Sequence, residues 1–375
     1  MLKTAWQFMK YDLSKSLGIL FGIIISVFLV GQNLGIFFAI LSNMKGIAKE
    51  NEKYIWVVSD KTQAATQLRN IDVRIGRELN SLEGVHKVHP IVVAGGTGKY
   101  SDGTQIGVLM VGLQGPEYAG GPIRFENGSD MSQLGNEGAL VIDISGVPAM
   151  GNIKVGEYFQ INNQRVYVSG ICKGKAGFGT YSVYTTVERA RSLGGFPIND
   201  VSAYLVEPDS SKYSSQQVID HINKSIPGIR AVDGSKFAQE SIGVILKTSN
   251  IAISFGTIII FAIISGFAIV GLTLFSMVKD RIKDYGTIKA IGGSNSFIRR
   301  LIISQALLYS FVGFTIAFGL LQLFKMGVSG KNLEIIFSVP MIAGLIIITL
   351  ALSLIGSLFG LRKIMKLEPV QIFRM

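Results

Sequence analysis

The chain has 375 residues, of which 48% are hydrophobic and only 16% charged, and it carries a net charge of +11. That balance excludes a fully soluble protein and indicates a membrane protein with one sizeable soluble part. Nine of the eleven charges lie in three short segments, residues 1–16 at +2, 279–300 at +4 and 361–375 at +3, whereas residues 42–250 hold 21 basic and 20 acidic residues. Basic charge confined to the flanks of apolar runs excludes nucleic-acid binding as its purpose, so no nucleic-acid partner is expected.

Four apolar stretches, residues 17–41, 251–278, 301–324 and 335–361, reach the length of about 20 residues that a helix needs to cross a bilayer. The three basic segments beside them set the orientation by the positive-inside rule: both termini are cytoplasmic and residues 42–250 lie outside. Residues 1–16 form an interfacial helix, since Trp6, Phe8, Met9 and Leu13 alternate with lysines. The run from Leu17 is too long for a signal-peptide core, and Leu41-Ser42-Asn43-Met44 is a poor cleavage site, so the first span is read as uncleaved. Gly18/Gly22, Gly31/Gly35 and Gly356/Gly360 are spaced to let helix backbones approach closely, and are candidate helix-packing residues. Gln32 and Asn33 are read as interhelical hydrogen-bonding residues or as marking the water boundary, in preference to a transport site.

Between the first two spans the pattern predicts an α+β domain. Strands are expected at 54–59, 85–93, 105–113, 139–142, 158–161, 164–171, 181–186, 203–206 and 229–232, and helices at 72–82 and 214–226. Asn162-Asn163 reads as a hairpin turn. A mixed α+β unit (about 50–115 plus 200–235) is interrupted by a mostly β insertion at about 117–197. After the second span comes the cytoplasmic stretch 279–300, in which residues 280–291 read as a short amphipathic helix with Ile282, Tyr285, Ile288 and Ala290/Ile291 near one face. Gly292 and Gly293 end it, and Ser294 caps the helix leading into the third span. Held by a span on each side, such a helix can take force from a soluble partner. A short outer loop (325–334), the fourth span and a cytoplasmic tail (362–375) complete the chain.

Catalytic chemistry is not evident. Cys172 is the sole cysteine, which excludes a disulfide framework and a cysteine metal site. His86 and His89 are three apart in an apparent strand and turn, so they do not share a face, and no metal is expected there. Gly95-Gly96-Thr97-Gly98-Lys99-Tyr100 fails as a phosphate loop because Val93 stands where a glycine is required and Tyr100 where Ser or Thr is required. It and Gly174-Lys175-Ala176 are read as flexible loops. No nucleophile-base arrangement or acidic pair stands out, so the chain is expected to be non-catalytic.

Residues 277–300 resemble the cytoplasmic coupling segment of FtsX/MacB-like ABC-transporter permeases. Val278, Arg281, Asp284, Tyr285, Gly286, Lys289, Ala290, Ile291, Gly292, Gly293 and Ser294 fill its pattern, with Asp284 in place of the usual Glu and Gly293 in place of the usual Ala. The end of the chain, from Arg362 through Glu368-Pro369-Val370 to Arg374, resembles the family's tail, and the layout of one span, a large outer domain and three spans is also similar. The start and Gly31-Gln32-Asn33-Leu34-Gly35 are similar to the DevC-like branch. The resemblance implies an outer domain with a porter-like α/β part. It also implies mechanotransmission: two permease chains, this one with a second copy or a paralogue, sit over two ABC ATPase subunits whose closure pushes the coupling helices. The candidates for ATPase contact are Arg281, Lys283, Asp284, Tyr285, Gly286, Lys289, Ala290, Gly292 and Gly293, against the plainer role of a basic face binding membrane lipid. This chain would bind no cofactor itself, and ATP and Mg would act through the partner ATPase. A periplasmic adaptor and an outer-membrane channel are the further partners implied. The expected function is export of a peptide, glycolipid or lipoprotein taken from the periplasm or outer leaflet, without passage between the spans, by a chain seated in the bacterial inner membrane. The alternatives are an FtsX-like regulator relaying ATP hydrolysis to a cell-wall hydrolase, and a membrane-anchored outer enzyme.

Overall fold

The computed structural model describes residues 6–7, 10–11, 13–100, 103–126, 129–173, 180–248, 250–328 and 335–365. The chain divides into two compact units, one of Met1–Phe38, Asn250–Val328 and Ile335–Met375, the other of Ala39–Ser249 with Ser329–Glu334. Helix α1 (Leu13–Glu50) begins in the first unit and ends in the second, with a non-helical break at Gly46 (φ 38°, ψ −129°). Its sequence is apolar on every side, as suits a helix surrounded by lipid and other helices rather than one with a wet face.

Among the described residues the second unit is built on eleven strands: β1 (Ile55–Ser59), β2 (Ile71–Asp72), β3 (Val85–Lys99), β4 (Gln105–Leu113), β5 (Ala139–Asp143), β6 (Tyr158–Ile161), β7 (Gln164–Cys172), β8 (Tyr181–Thr186), β9 (Asp200–Val201), β10 (Ala203–Pro208) and β11 (Ile229–Asp233). Four helices join them: α2 (Ile75–Ser81), α3 (Val187–Gly194), α4 (Ser215–Ser225) and α5 (Gly234–Thr248). Nine strands form one sheet in the order β11-β1-β10-β3-β4-β8-β5-β7-β6, and a further β3–β6 pairing, Gly98 opposite Ile161 and Lys99 opposite Gln160, closes β3, β4, β8, β5, β7 and β6 into a ring.

Alternation along β1 sends Ile55 and Val57 to one core, with Leu79, Val218 and Ile222, and Trp56 and Val58 to the other, with Phe237 and Ala238. Trp56 is fully buried, its ring centroid 5.4 Å from that of Phe237 and its indole N–H donating to the Asn51 carbonyl at 3.2 Å. Such a residue stabilises on two counts, by the large apolar area it hides and by leaving no orphan polar atom. Ser214 and Gln217 form a capping box that starts α4. At the β6–β7 turn, Asn162 and Asn163 both take positive φ (48° and 67°), a conformation asparagine tolerates better than most residues.

One expectation changes. Residues 95–99 are not a loop but the second half of β3, paired residue for residue with 105–109 of β4. Glycine here serves packing, since a Cβ on Gly96 would sit 3.0 Å from Ile161 and Met110 across the ring. Gly174–Ala176 lies outside the described residues. The strands of 117–197 are continuous with the rest of the sheet, since β8 runs parallel to β4 and antiparallel to β5. Helices α3 and α5 have no counterpart in the sequence reading. Helix α3 is nonetheless marked at both ends, by Thr186 accepting from the Arg189 N–H and by Gly195 at φ 61°.

The first unit adds α6 (Ile251–Asp280), α7 (Ile282–Ala290), α8 (Asn295–Val328) and α9 (Val339–Met365). Among the described residues four helices are long and apolar enough to cross a membrane, over Leu13–Met44, Ile251–Met277, Asn295–Val328 and Val339–Leu358. Buried residues of α8 recur at Ile298, Leu301/Ile302, Gln305/Ala306, Tyr309/Ser310, Gly313, Ala317 and Leu321, one face of a helix packed against its neighbours. Close approach there depends on missing side chains and on polar links. A Cβ on Gly356 would sit 3.4 Å from the Gly271 backbone, Ser26 donates to the Ala262 carbonyl at 2.8 Å, and Ser353 donates to the Ala306 carbonyl at 2.6 Å. Asn33 donates to Leu29 of its own helix, so its amide is satisfied locally.

Candidate functional site

The segment joining α6 to α8 is organised by three backbone events. Helix α6 ends where Arg281 leaves helical geometry (φ −96°, ψ 19°), which lets α7 start in a new direction. Helix α7 closes in a Schellman arrangement: the Gly292 N–H donates to Lys289 (3.0 Å) and the Gly293 N–H to Ile288 (2.8 Å). Gly292 stands at φ +96°, and a Cβ on Gly293 would meet the Ile288 carbonyl oxygen at 2.6 Å, so each glycine has its own reason. Ser294 then accepts a hydrogen bond from the Phe297 N–H at 3.2 Å, capping α8.

Packing fixes this helix to the next. Tyr285 is 1% exposed and lies with Ile298, Leu301 and Ile302 of α8, with Ile288 beside it. Burial pushes its hydroxyl up to about 12, so it stays neutral at any physiological pH. At the other end Asp280 pairs with Lys15, whose hydrogen bond holds the carboxyl below the usual range. The Arg281 guanidinium lies 5.4 Å from the Tyr11 ring centroid and its side chain is 7% exposed.

The nominated residues therefore separate. Lys283 and Asp284 are exposed and Lys289 half-buried, while Arg281, Tyr285 and Gly286 are buried. Gly292 and Gly293 shape the backbone, and the side chain of Ala290 lies outside the described residues. Among the packing glycines, Gly18 and Gly22 face Thr273 and Ile269/Val270 of α6, Gly31 faces Leu321 and Leu345, Gly35 faces Ile335 and Phe337, and Gly356 faces Gly271. The surroundings of Gly360 and the tail from Lys366 onward lie outside the described residues. Spacing alone missed Gly266 and Gly313, where a Cβ would approach Ser26 to 2.2 Å and Ile23 to 2.6 Å. Lone glycines in apolar runs were the available signal. It also missed Ile291, which is 81% exposed.

The outer unit has a polar cleft of about 270 Å³ lined by residues including Asn80, His86, Lys87, His89, Gln114 and Glu117. His86 and His89 take opposite faces of β3, the first exposed and the second buried. His89 Nε2 lies 3.3 Å from Glu207 and Nδ1 3.8 Å from Glu117, while Lys87 pairs with Glu117 at 2.6 Å and holds that carboxyl below its ordinary value. Among the described residues no three His, Cys, Asp or Glu side chains are placed to hold a metal ion.

Residues 256–369 match the family model of the FtsX-like permease C-terminal domain, a stretch that includes α7 and both glycines. No curated protein matches the chain. Among solved structures, the extracellular domain of the noncanonic ABC-type transporter YknZ from Gram-positive bacteria is 15% identical, at a TM-score of 0.35, covering 48% of this chain and 98% of that one. The periplasmic region of MacB from Actinobacillus actinomycetemcomitans is 10% identical, at a TM-score of 0.40, covering 53% and 96%. Residues 256–369, which hold α7, α8, α9 and most of α6, are thus similar to the C-terminal domain of FtsX-like permeases.

Proposed function

We propose that this permease transmits ATP-driven motion: residues 279–292 receive force from a separate ABC ATPase and pass it to the outer α+β domain. The observation behind this is the build of α7. A nine-residue helix is too short to persist alone. This one is held to α8 through Tyr285 and closed by the paired glycines, so a push on its exposed side is delivered to the span. In the working assembly two permease chains, identical or paralogous, stand over two ATPase subunits that carry ATP and Mg. The chain sits in the bacterial inner membrane with both termini cytoplasmic. Cargo (a peptide, glycolipid or lipoprotein) is taken from the periplasm or outer leaflet and passed to an adaptor and an outer-membrane channel. Residues 17–41, 251–278, 301–324 and 335–361 contain no Asp, Glu, Lys or Arg, which supports motion transfer over a polar path through the spans.

The test is co-purification in detergent of the full chain with the ABC ATPase from its gene neighbourhood. Lys283→Glu/Asp284→Arg/Lys289→Glu is expected to lower retained ATPase about three- to tenfold, the scale of rim charges at an interface. Arg281 is left intact because its burial would make its loss a test of folding. Equal retention by wild type and variant would reduce α7 to a solvated basic helix. An adaptor or a cell-wall hydrolase recovered in the same pull-down separates export from regulation.

A further inference from the structure

We infer that Ile291 is the apolar anchor of the coupling segment, and that its partner is a folded protein surface with an apolar socket rimmed by carboxylates. This rests on the coupling role proposed for α7 and names the chemistry of the contact. Ile291 is 81% exposed, more than any large apolar side chain of α8, and it lies outside the stretches long and apolar enough to span. Its exposure is built in. Tyr285 and Ile288 take the side of α7 that packs on α8, and the backbone of Ile291 (φ −80°, ψ 3°) is held between the end of α7 and the Gly292/Gly293 bonds. An apolar side chain on a rigid support loses little freedom on binding, which favours an anchor role.

The surroundings choose between protein and lipid. Lys283, Asp284 and Thr287 are exposed on α7, as are Arg299 and Arg300 on α8, with Lys289 half-exposed. A membrane-lying helix needs a broad apolar face, and Ile291 with the 40%-exposed Phe297 offers too little area. Asp284 opposes an anionic lipid surface, whereas one apolar centre within a polar, mainly cationic rim is the anatomy of a protein interface. The rim asks for Asp and Glu on the partner, and the ATPase is the soluble partner that the coupling role supplies.

The experiment again uses the full chain and the neighbouring ABC ATPase. Ile291→Glu is expected to lower retained ATPase about tenfold while Ile291→Leu retains it, the loss expected of a hot-spot side chain. A benzoylphenylalanine at position 291 is expected to cross-link to the ATPase. Since position 291 is solvent-exposed, both variants should remain monodisperse. If Ile291→Glu retains the ATPase fully while Lys283→Glu/Lys289→Glu loses it, the anchor is wrong and the coupling role stands. If the wild-type chain captures no ATPase, both fall. Ile291→Cys gives the lipid control, because Cys172 is the sole native cysteine and is fully buried. Quenching of a fluorophore on Cys-substituted position 291 by spin-labelled lipid, with and without ATPase, would place it in the bilayer and overturn the proposal.

Discussion

Gly292→Val is expected to unfasten α7 while leaving the rest of the chain folded. At φ +96° glycine alone is unstrained, and a β-branched residue there costs about 1–3 kcal/mol. To relax, the variant must give up the hydrogen bonds from Gly292 to Lys289 and from Gly293 to Ile288, each worth about 0.5–1.5 kcal/mol. Whichever way it yields, the loss is about 1–3 kcal/mol, which corresponds to roughly five- to 150-fold faster amide exchange across α7, at about 1.4 kcal/mol per decade. Hydrogen–deuterium exchange on peptides covering 282–298 reads this directly. Peptides from β1 and β11 should be unchanged. Gly292→Asn should fall between the two, since asparagine tolerates the left-handed region. On the coupling role, ATPase capture drops in the same order. Wild-type exchange in the valine variant would mean that the paired glycines do not hold the end of α7.

Much of this architecture was legible because its signals are local. A run of apolar residues without charge needs no tertiary context to be read as a span. Alternation placed β4, β6 and β8 at 105–113, 158–161 and 181–186, where the structure has them. The paired glycines and Ser294 likewise act within a few residues. What was not legible depends on partners distant in sequence. The ring in the outer sheet closes only when Gly98 meets Ile161, and the glycines of 95–98 that allow it weaken the strand pattern. Arg281 looked like a docking residue because a charge beside a membrane reads as exposed. In the structure its guanidinium lies over Tyr11, some 270 residues earlier, and its side chain is buried. Conversely, Ile291 was counted with the apolar side of α7 because a helical wheel does not show where the helix stops. The turn at Gly292 leaves it outside that face.

Gly266 of α6 yields the other large effect. Gly266→Ala places a Cβ 2.2 Å from Ser26 Oγ and 2.3 Å from its Cβ, contacts that real side chains do not make. Ser26 is 1% exposed and its hydroxyl already donates to the Ala262 carbonyl, so it has no open direction in which to turn. Either α1 and α6 separate, losing packing along the line that includes Gly22 against Ile269, or the serine gives up its bond inside an apolar bundle. Overpacking of this kind costs about 1–3 kcal/mol. The methyl group should therefore lower the temperature at which the detergent-solubilised chain stops being monodisperse. Gly319→Ala is the control, since a Cβ there meets nothing within 4 Å. It adds the same methyl group to a helix of the same unit and should leave that temperature unchanged or slightly higher. Ser26→Gly removes both of the atoms that the new methyl strikes, so Gly266→Ala/Ser26→Gly is expected to recover most of the loss. Ser26→Gly alone should cost only its hydrogen bond and some helix propensity. Recovery in the double variant would locate the strain between positions 26 and 266, and so establish that α1 and α6 touch there through missing side chains. A double variant no better than Gly266→Ala would show that the two helices do not meet at that point.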